Sequence, residues 1–115
     1  MRKAKITENK IGPDELKPIA DIDLAIHSPA RLKIMAFLSV VESADFTFLM
    51  NQTGLTRGNL SSHLSKLEAV GYVSIKKEFV ERVPRTLISL SDDGRSAIHT
   101  YRENMKQVLD EILAS

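Results

Sequence analysis

The chain has no cysteine, which excludes disulfides, thiolate metal ligands and a cysteine nucleophile. No apolar run approaches the ~18–20 residues that a membrane span needs. The basic amino end, Met1-Arg2-Lys3-Ala4-Lys5, is not followed by the apolar stretch of a secretory signal. No membrane partner is therefore expected, and the expected compartment is the cytoplasm. The glycines, Gly12, Gly54, Gly58, Gly71 and Gly94, stand singly, so there is no glycine-rich phosphate loop. Net charge is scarce too. Sixteen Lys+Arg against fifteen Asp+Glu leave +1, and as a total this points to no nucleic-acid partner.

What is present is one domain's worth of chain, 115 residues with 43% hydrophobic and 27% charged, close to the globular average. Residues 1–20 mix five basic and three acidic residues with Gly12, Pro13 and Pro18, and read as a partly flexible N-terminal arm. Residues 21–115 read as a single domain. Within it, Ser28 and Pro29 form a helix start, cap followed by first-turn proline. The apolar period after them predicts a helix over 29–41. Asp45 caps a second helix that ends by Gly54. Thr56 starts a third, in which Leu60, Leu64 and Leu67 make one apolar stripe and Gly71 provides the stop. The alternating, β-branched segment 72–77 predicts a strand, 78–84 a polar loop, and 85–90 a second strand. Ser91 caps a last helix that runs to the carboxyl end, with Asp92 and Asp93 in its favourable first turn. Three helices, a β-hairpin and a long helix describe a mainly α (α+β) winged helix-turn-helix.

The third helix carries the functional signal. With its leucines inward, Arg57, Ser61, Ser62, Ser65 and Lys66 turn outward. Serine is a poor helix former, and an ordinary solvated face carries Glu and Lys instead. A face of small hydroxyls with a few long donors suits close approach to a major-groove floor, where Asn59 and Arg57 can read base edges. Thr56 and His63 complete the candidate set on this helix. Lys76, Lys77, Arg82 and Arg85 cluster on or beside the hairpin, diluted by Glu78 and Glu81; they read as phosphate or minor-groove contacts, against the plainer reading of a solvated basic loop. Split by segment, the charge is +2 over 1–20, −2 over 21–55, +3 over 56–90 and −2 over 91–115. A basic reading surface thus stands against an acidic scaffold.

These residues also carry a family resemblance. Ile26-His27-Ser28-Pro29-Ala30-Arg31-Leu32-Lys33-Ile34, Gly54-Leu55-Thr56, Gly58-Asn59-Leu60-Ser61-Ser62-His63-Leu64, Leu67-Glu68, Gly71-Tyr72-Val73, Pro84-Arg85-Thr86, Leu90-Ser91 and Gly94-Arg95 resemble small bacterial and archaeal winged-helix transcriptional regulators related to the MarR and ArsR groups. The likeness covers roughly residues 22–100, and the Asn-Leu-Ser-Ser-His-Leu stretch is its most specific part. It implies dimeric, DNA-binding repressors or activators whose third helix enters the major groove. The wing departs from the pattern: Phe79-Val80-Glu81-Arg82-Val83 stands where such wings often hold Gly and paired arginines.

Other constellations carry little. Ser62 and His63 are helix neighbours ~100° apart and make no nucleophile–base pair. His99 and Glu103 are four apart on the last helix, but two ligands are not a metal site. No enzyme activity, cofactor or metal is expected. Ile98, Tyr101, Met105, Val108 and Ile112 repeat at spacings of three and four, with Leu109 and Leu113 beside them. This stripe either packs back on residues 14–26 or forms a two-fold interface assisted by Ile22 and Ile26; the second reading is adopted. The expectation is a homodimeric, sequence-specific transcriptional regulator, a repressor, bound to double-stranded DNA. Its third helix would lie in the major groove and its wing on flanking backbone or minor groove. The alternative is a winged helix used as a protein–protein adaptor. A small-molecule effector is left undetermined.

Overall fold

The computed structural model describes residues 16–114, so most of the expected arm, residues 1–15, lies outside them. Among the described residues the chain divides into two compact units, 23–101 and a smaller one made of 16–22 with 102–114. The sequence reading drew one boundary, after residue 20, between an arm and a domain over 21–115. It did not foresee the second, which falls inside the last helix.

The larger unit is built from well-capped helices. Ser28 accepts from the Arg31 N–H at 3.3 Å and Pro29 occupies the first turn of α2 (Pro29–Leu38). This helix stops short of the expected residue 41, because Ser39 turns back and donates its hydroxyl to the Ala36 carbonyl at 2.6 Å. β1 (Ala44–Asp45) follows, then α3 (Phe46–Thr53), whose first N–H groups, of Thr47 and Phe48, donate to Asp45 Oδ1. α4 (Arg57–Ala69) is capped by Thr56, which accepts from the Asn59 N–H at 3.1 Å. It ends where Gly71 adopts a left-handed φ of 82°. Gly71 and Tyr72 then donate back to the Glu68 and Leu67 carbonyls, both at 2.9 Å, an arrangement that only a residue without Cβ adopts at low cost.

β2 (Val73–Val80) and β3 (Val83–Leu90) form a long antiparallel hairpin, with β1 on the other side of β3. The register pairs Val73 with Leu90 and runs without a break to Val80 with Val83. The connection is therefore two residues, Glu81 and Arg82, and not the expected seven-residue polar loop over 78–84. Beyond the core a hairpin is solvated on both faces, so polar residues there do not argue against a strand. α5 (Asp92–Gln107) starts at Ser91, whose hydroxyl accepts from the Gly94 N–H at 2.9 Å and donates to the Gly71 carbonyl at 2.5 Å.

Ile34, Met35 and Leu38 of α2, Leu49 of α3, Leu60, Leu64 and Leu67 of α4 and Ile88 of β3 are fully enclosed. Each such side chain contributes about 1.5–3 kcal/mol by leaving water, so the leucine stripe of α4 fixes which of its faces remains outside. This is a winged helix-turn-helix with a long C-terminal helix. In the smaller unit, α1 (Lys17–Ala20) falls within the expected arm, Lys17 pairs with Asp21 at 2.9 Å, and α5 passes into a π-helical turn, Val108–Ile112.

Candidate nucleic-acid interface

The exposed face of α4 divides into two stripes. Arg57, Ser61 and Ser65, spaced by four, line a groove that the hairpin closes from the other side with Lys77, Pro84, Arg85 and Thr86. Leu64, Ile75 and Val83 add apolar lining, Asp45, Phe46 and Thr47 complete it, and its volume is about 610 Å³. Asn59, Ser62 and Lys66 are also exposed but lie on the adjacent stripe of the helix, outside the groove. Lys76 and Arg82 are exposed on the hairpin and do not line it either. Thr56 is exposed with its hydroxyl oxygen engaged as the helix cap.

The cations are not equivalent. The Arg57 guanidinium sits 5.3 Å above the centre of the Phe46 ring, a cation–π contact worth about 0.5–1 kcal/mol at an exposed site, which restricts the arginine's freedom at the groove wall. Arg85 donates to Asp45 Oδ2 at 2.9 Å. That hydrogen bond is the main reason the Asp45 carboxyl is held below its ordinary range, with the Phe48 and Thr47 N–H groups assisting and partial burial opposing. Arg85 is thus paired with a carboxylate at the groove wall. Lys76 approaches Glu78 only at 4.0 Å, and among the described residues Lys77, Arg82, Arg57 and Lys66 make no ion pair.

His63 is tied inward. Arg31 of α2 donates from Nε to the Ala25 carbonyl at 2.6 Å and reaches His63 Nδ1 at 3.1 Å. A guanidinium only donates, so Nδ1 accepts and the ring proton sits on Nε2. Burial first, then the charges of Arg31 and Lys66, lower the His63 pKa below its ordinary value. The imidazole is neutral near pH 7, and only Nε2–H is left to donate outward.

Sequence reasoning missed Phe46, Thr47 and Thr86. The register could have located Thr86, which lies directly opposite Lys77; Phe46 and Thr47 carry no local signal for a groove. Among the residues expected at a two-fold interface, Ile26 is wholly buried, which places its side chain in the core instead. Tyr101 is 6% exposed, and its hydroxyl hydrogen-bonds His27 Nδ1 at 2.9 Å. Val108 is buried as well. Ile22, Ile98, Met105 and Ile112 are half-buried, and Leu109 is exposed. Among the described residues no three His, Asp or Glu side chains converge as metal ligands, and no helix is long and apolar enough to cross a membrane.

With this geometry in hand, comparison with known proteins is specific. The family model described as winged helix DNA-binding domain matches residues 30–109. An uncharacterised protein of Methanocaldococcus jannaschii is 36% identical over 86 residues, which span 75% of this chain and 94% of the relative. Among solved structures, a transcriptional regulator homologue from Pyrococcus horikoshii OT3 is similar with a TM-score of 0.77 and 34% identity, over 86% of this chain and 97% of that one. The transcriptional repressor CouR, solved bound to a 23-mer DNA duplex, shares the fold with a TM-score of 0.62 and 24% identity, over 84% of this chain and 63% of its own.

Proposed function

The chain belongs to the winged helix DNA-binding domain family, and from that premise we propose that it is a homodimeric transcriptional repressor that reads a specific duplex through the α4–hairpin groove. The observation that carries this reading is the groove itself. Small hydroxyls, Ser61 and Ser65, lie between a stacked arginine and the cations of the hairpin, on a helix whose leucines hold that face outward. α4 enters the major groove. Arg57 and Asn59 read base edges, Ser61, Ser62 and Ser65 permit close approach, and Lys66 with the Nε2–H of His63 meets phosphates. On the hairpin Lys76, Lys77, Arg82 and Arg85 take flanking backbone and minor groove.

Dimerisation through Ile22, Ile98, Met105 and Leu109 gives the operator two-fold symmetry, with half-sites about one helical turn, ~34 Å, apart. Occlusion of a promoter follows from that arrangement. A salt titration tests the reading. If Lys66, Lys76, Lys77 and Arg82 of each protomer neutralise one phosphate apiece, log K falls with log salt at a slope of about −7. The affinity then drops roughly 10⁴-fold between about 50 and 200 mM salt. Absence of duplex binding near 50 mM salt rejects the reading and leaves the adaptor alternative.

A further inference from the structure

The tip of the hairpin is apolar in a way that folding does not require. Phe79 is 73% exposed, Val83 48% and Val80 41%, and Pro84 is exposed beside them. Phe79 and Pro84 face each other in the register, one pair before the Val80–Val83 pair that closes the turn. In a two-residue hairpin that next pair is the non-hydrogen-bonded kind, whose side chains lie closest, so the two rings form one short blade. Alternate strand residues share a face. Phe79 therefore lies on the side of Lys77 and Ile75, which line the groove against α4.

We propose that this blade is a wedge for the DNA minor groove: Phe79, backed by Pro84, enters beside the half-site and partly unstacks one base step, bending the duplex. The inference rests on the reading of the chain as a DNA binder. Three observations select DNA over a protein partner. Residues 76–85 set four cations against two carboxylates around the blade, which suits a polyanion. A symmetric contact between two tips would bring Arg82 against Arg82. The reach also fits: Phe79 lies four residues beyond Ile75, about 13 Å along the strand, and the minor groove adjoining a major-groove helix lies about half a turn, ~17 Å, away. Apolar side chains inserted between base steps kink duplexes by roughly 20–90°, most easily at TA and CA steps. Such a wedge confers sequence preference at positions with no hydrogen bond to a base.

The test uses the full chain and a pool of random-sequence duplexes about 30 base pairs long, roughly three turns. The duplexes are end-labelled for energy transfer, with 2-aminopurine at a central TA step in a second set. The wild-type chain shortens the end-to-end distance and brightens 2-aminopurine. F79A weakens binding roughly 5- to 150-fold, the range for loss of one base–aromatic stack, and abolishes both signals at saturation. F79W keeps both signals, and R82A weakens binding while leaving the bend in place. Equal binding and equal signals for wild type and F79A overturn the wedge and leave DNA binding standing. Altered self-association of F79A with unchanged DNA signals overturns it in favour of a contact between copies. No binding by any variant near 50 mM salt overturns the wedge and the DNA-binding reading together.

Discussion

Replacing Gly94 by alanine tests how α5 is seated, and the sign of the effect is the test. Gly94 lies in the first turn of α5, and a Cβ built on it would stand 2.0 Å from the Tyr72 carbonyl oxygen and 2.9 Å from its carbon. The obstructing atoms are backbone and cannot swing aside. Relief requires a shift of more than about 1 Å, and overpacking of that order costs about 1–3 kcal/mol. The same carbonyl accepts the Ser91 N–H at 3.0 Å, and losing that bond costs about 1 kcal/mol more. Against this, alanine is favoured over glycine in a helix by about 1 kcal/mol. The net expectation for G94A is a loss of about 1–3 kcal/mol, read as a lower urea midpoint at unchanged slope. Gly58 in α4 is the matched control, with nothing within 4 Å of its added Cβ; G58A gains up to about 1 kcal/mol. If G94A proves as stable as wild type or more so, the close docking of α5 on Tyr72 is refuted.

Glu81 and Arg82 both hold positive φ, 52° and 69°, at a cost of about 1–2 kcal/mol per residue; E81N stabilises the turn by about 0.5–1 kcal/mol, seen as slower amide exchange in the hairpin, whereas E81V speeds it. The lowered pKa of His63 makes folding pH-dependent: the neutral ring contributes fully above about pH 6.5, and stability is lost as pH falls through the lower folded value. Urea midpoints for wild type fall on acidification through this window, and those of H63Q, which cannot titrate, fall less. On DNA, N59A relaxes preference at one or two base positions, whereas R82A weakens all sequences alike and reduces the salt slope by about 1 per protomer; binding to a panel of duplexes separates the two.

The parts of this fold that were legible in the sequence are those governed by neighbours along the chain. Ser28, Asp45, Thr56 and Ser91 cap their helices as the residue types dictate, and the Leu60, Leu64 and Leu67 stripe fixed the outward face of α4 in advance. The hairpin was legible only in its inner half, because hydrophobic alternation marks a strand only where one face meets the core. Its outer half, 78–80 and 83–84, is held by cross-strand hydrogen bonds that leave no pattern. β1 has just two residues, too short to show a period. The finer organisation of the candidate site depends on partners far apart in the chain. Asp45 was visible as a cap but not as the partner of Arg85, 40 residues away, and His63 was visible as a site candidate but not as the acceptor of Arg31. Ile26 was read as part of a two-fold interface; packing within the chain buries it.

Selection of bound duplexes from a random pool tests the central claim, that α4 and the hairpin read DNA as a two-fold pair. Enrichment of an inverted repeat with half-sites about one helical turn, ~34 Å, apart is expected, and with N59A the repeat loses its preference at one or two positions of each half-site. A pool that remains unenriched after repeated rounds, or that enriches the same bases at every position with N59A, contradicts it.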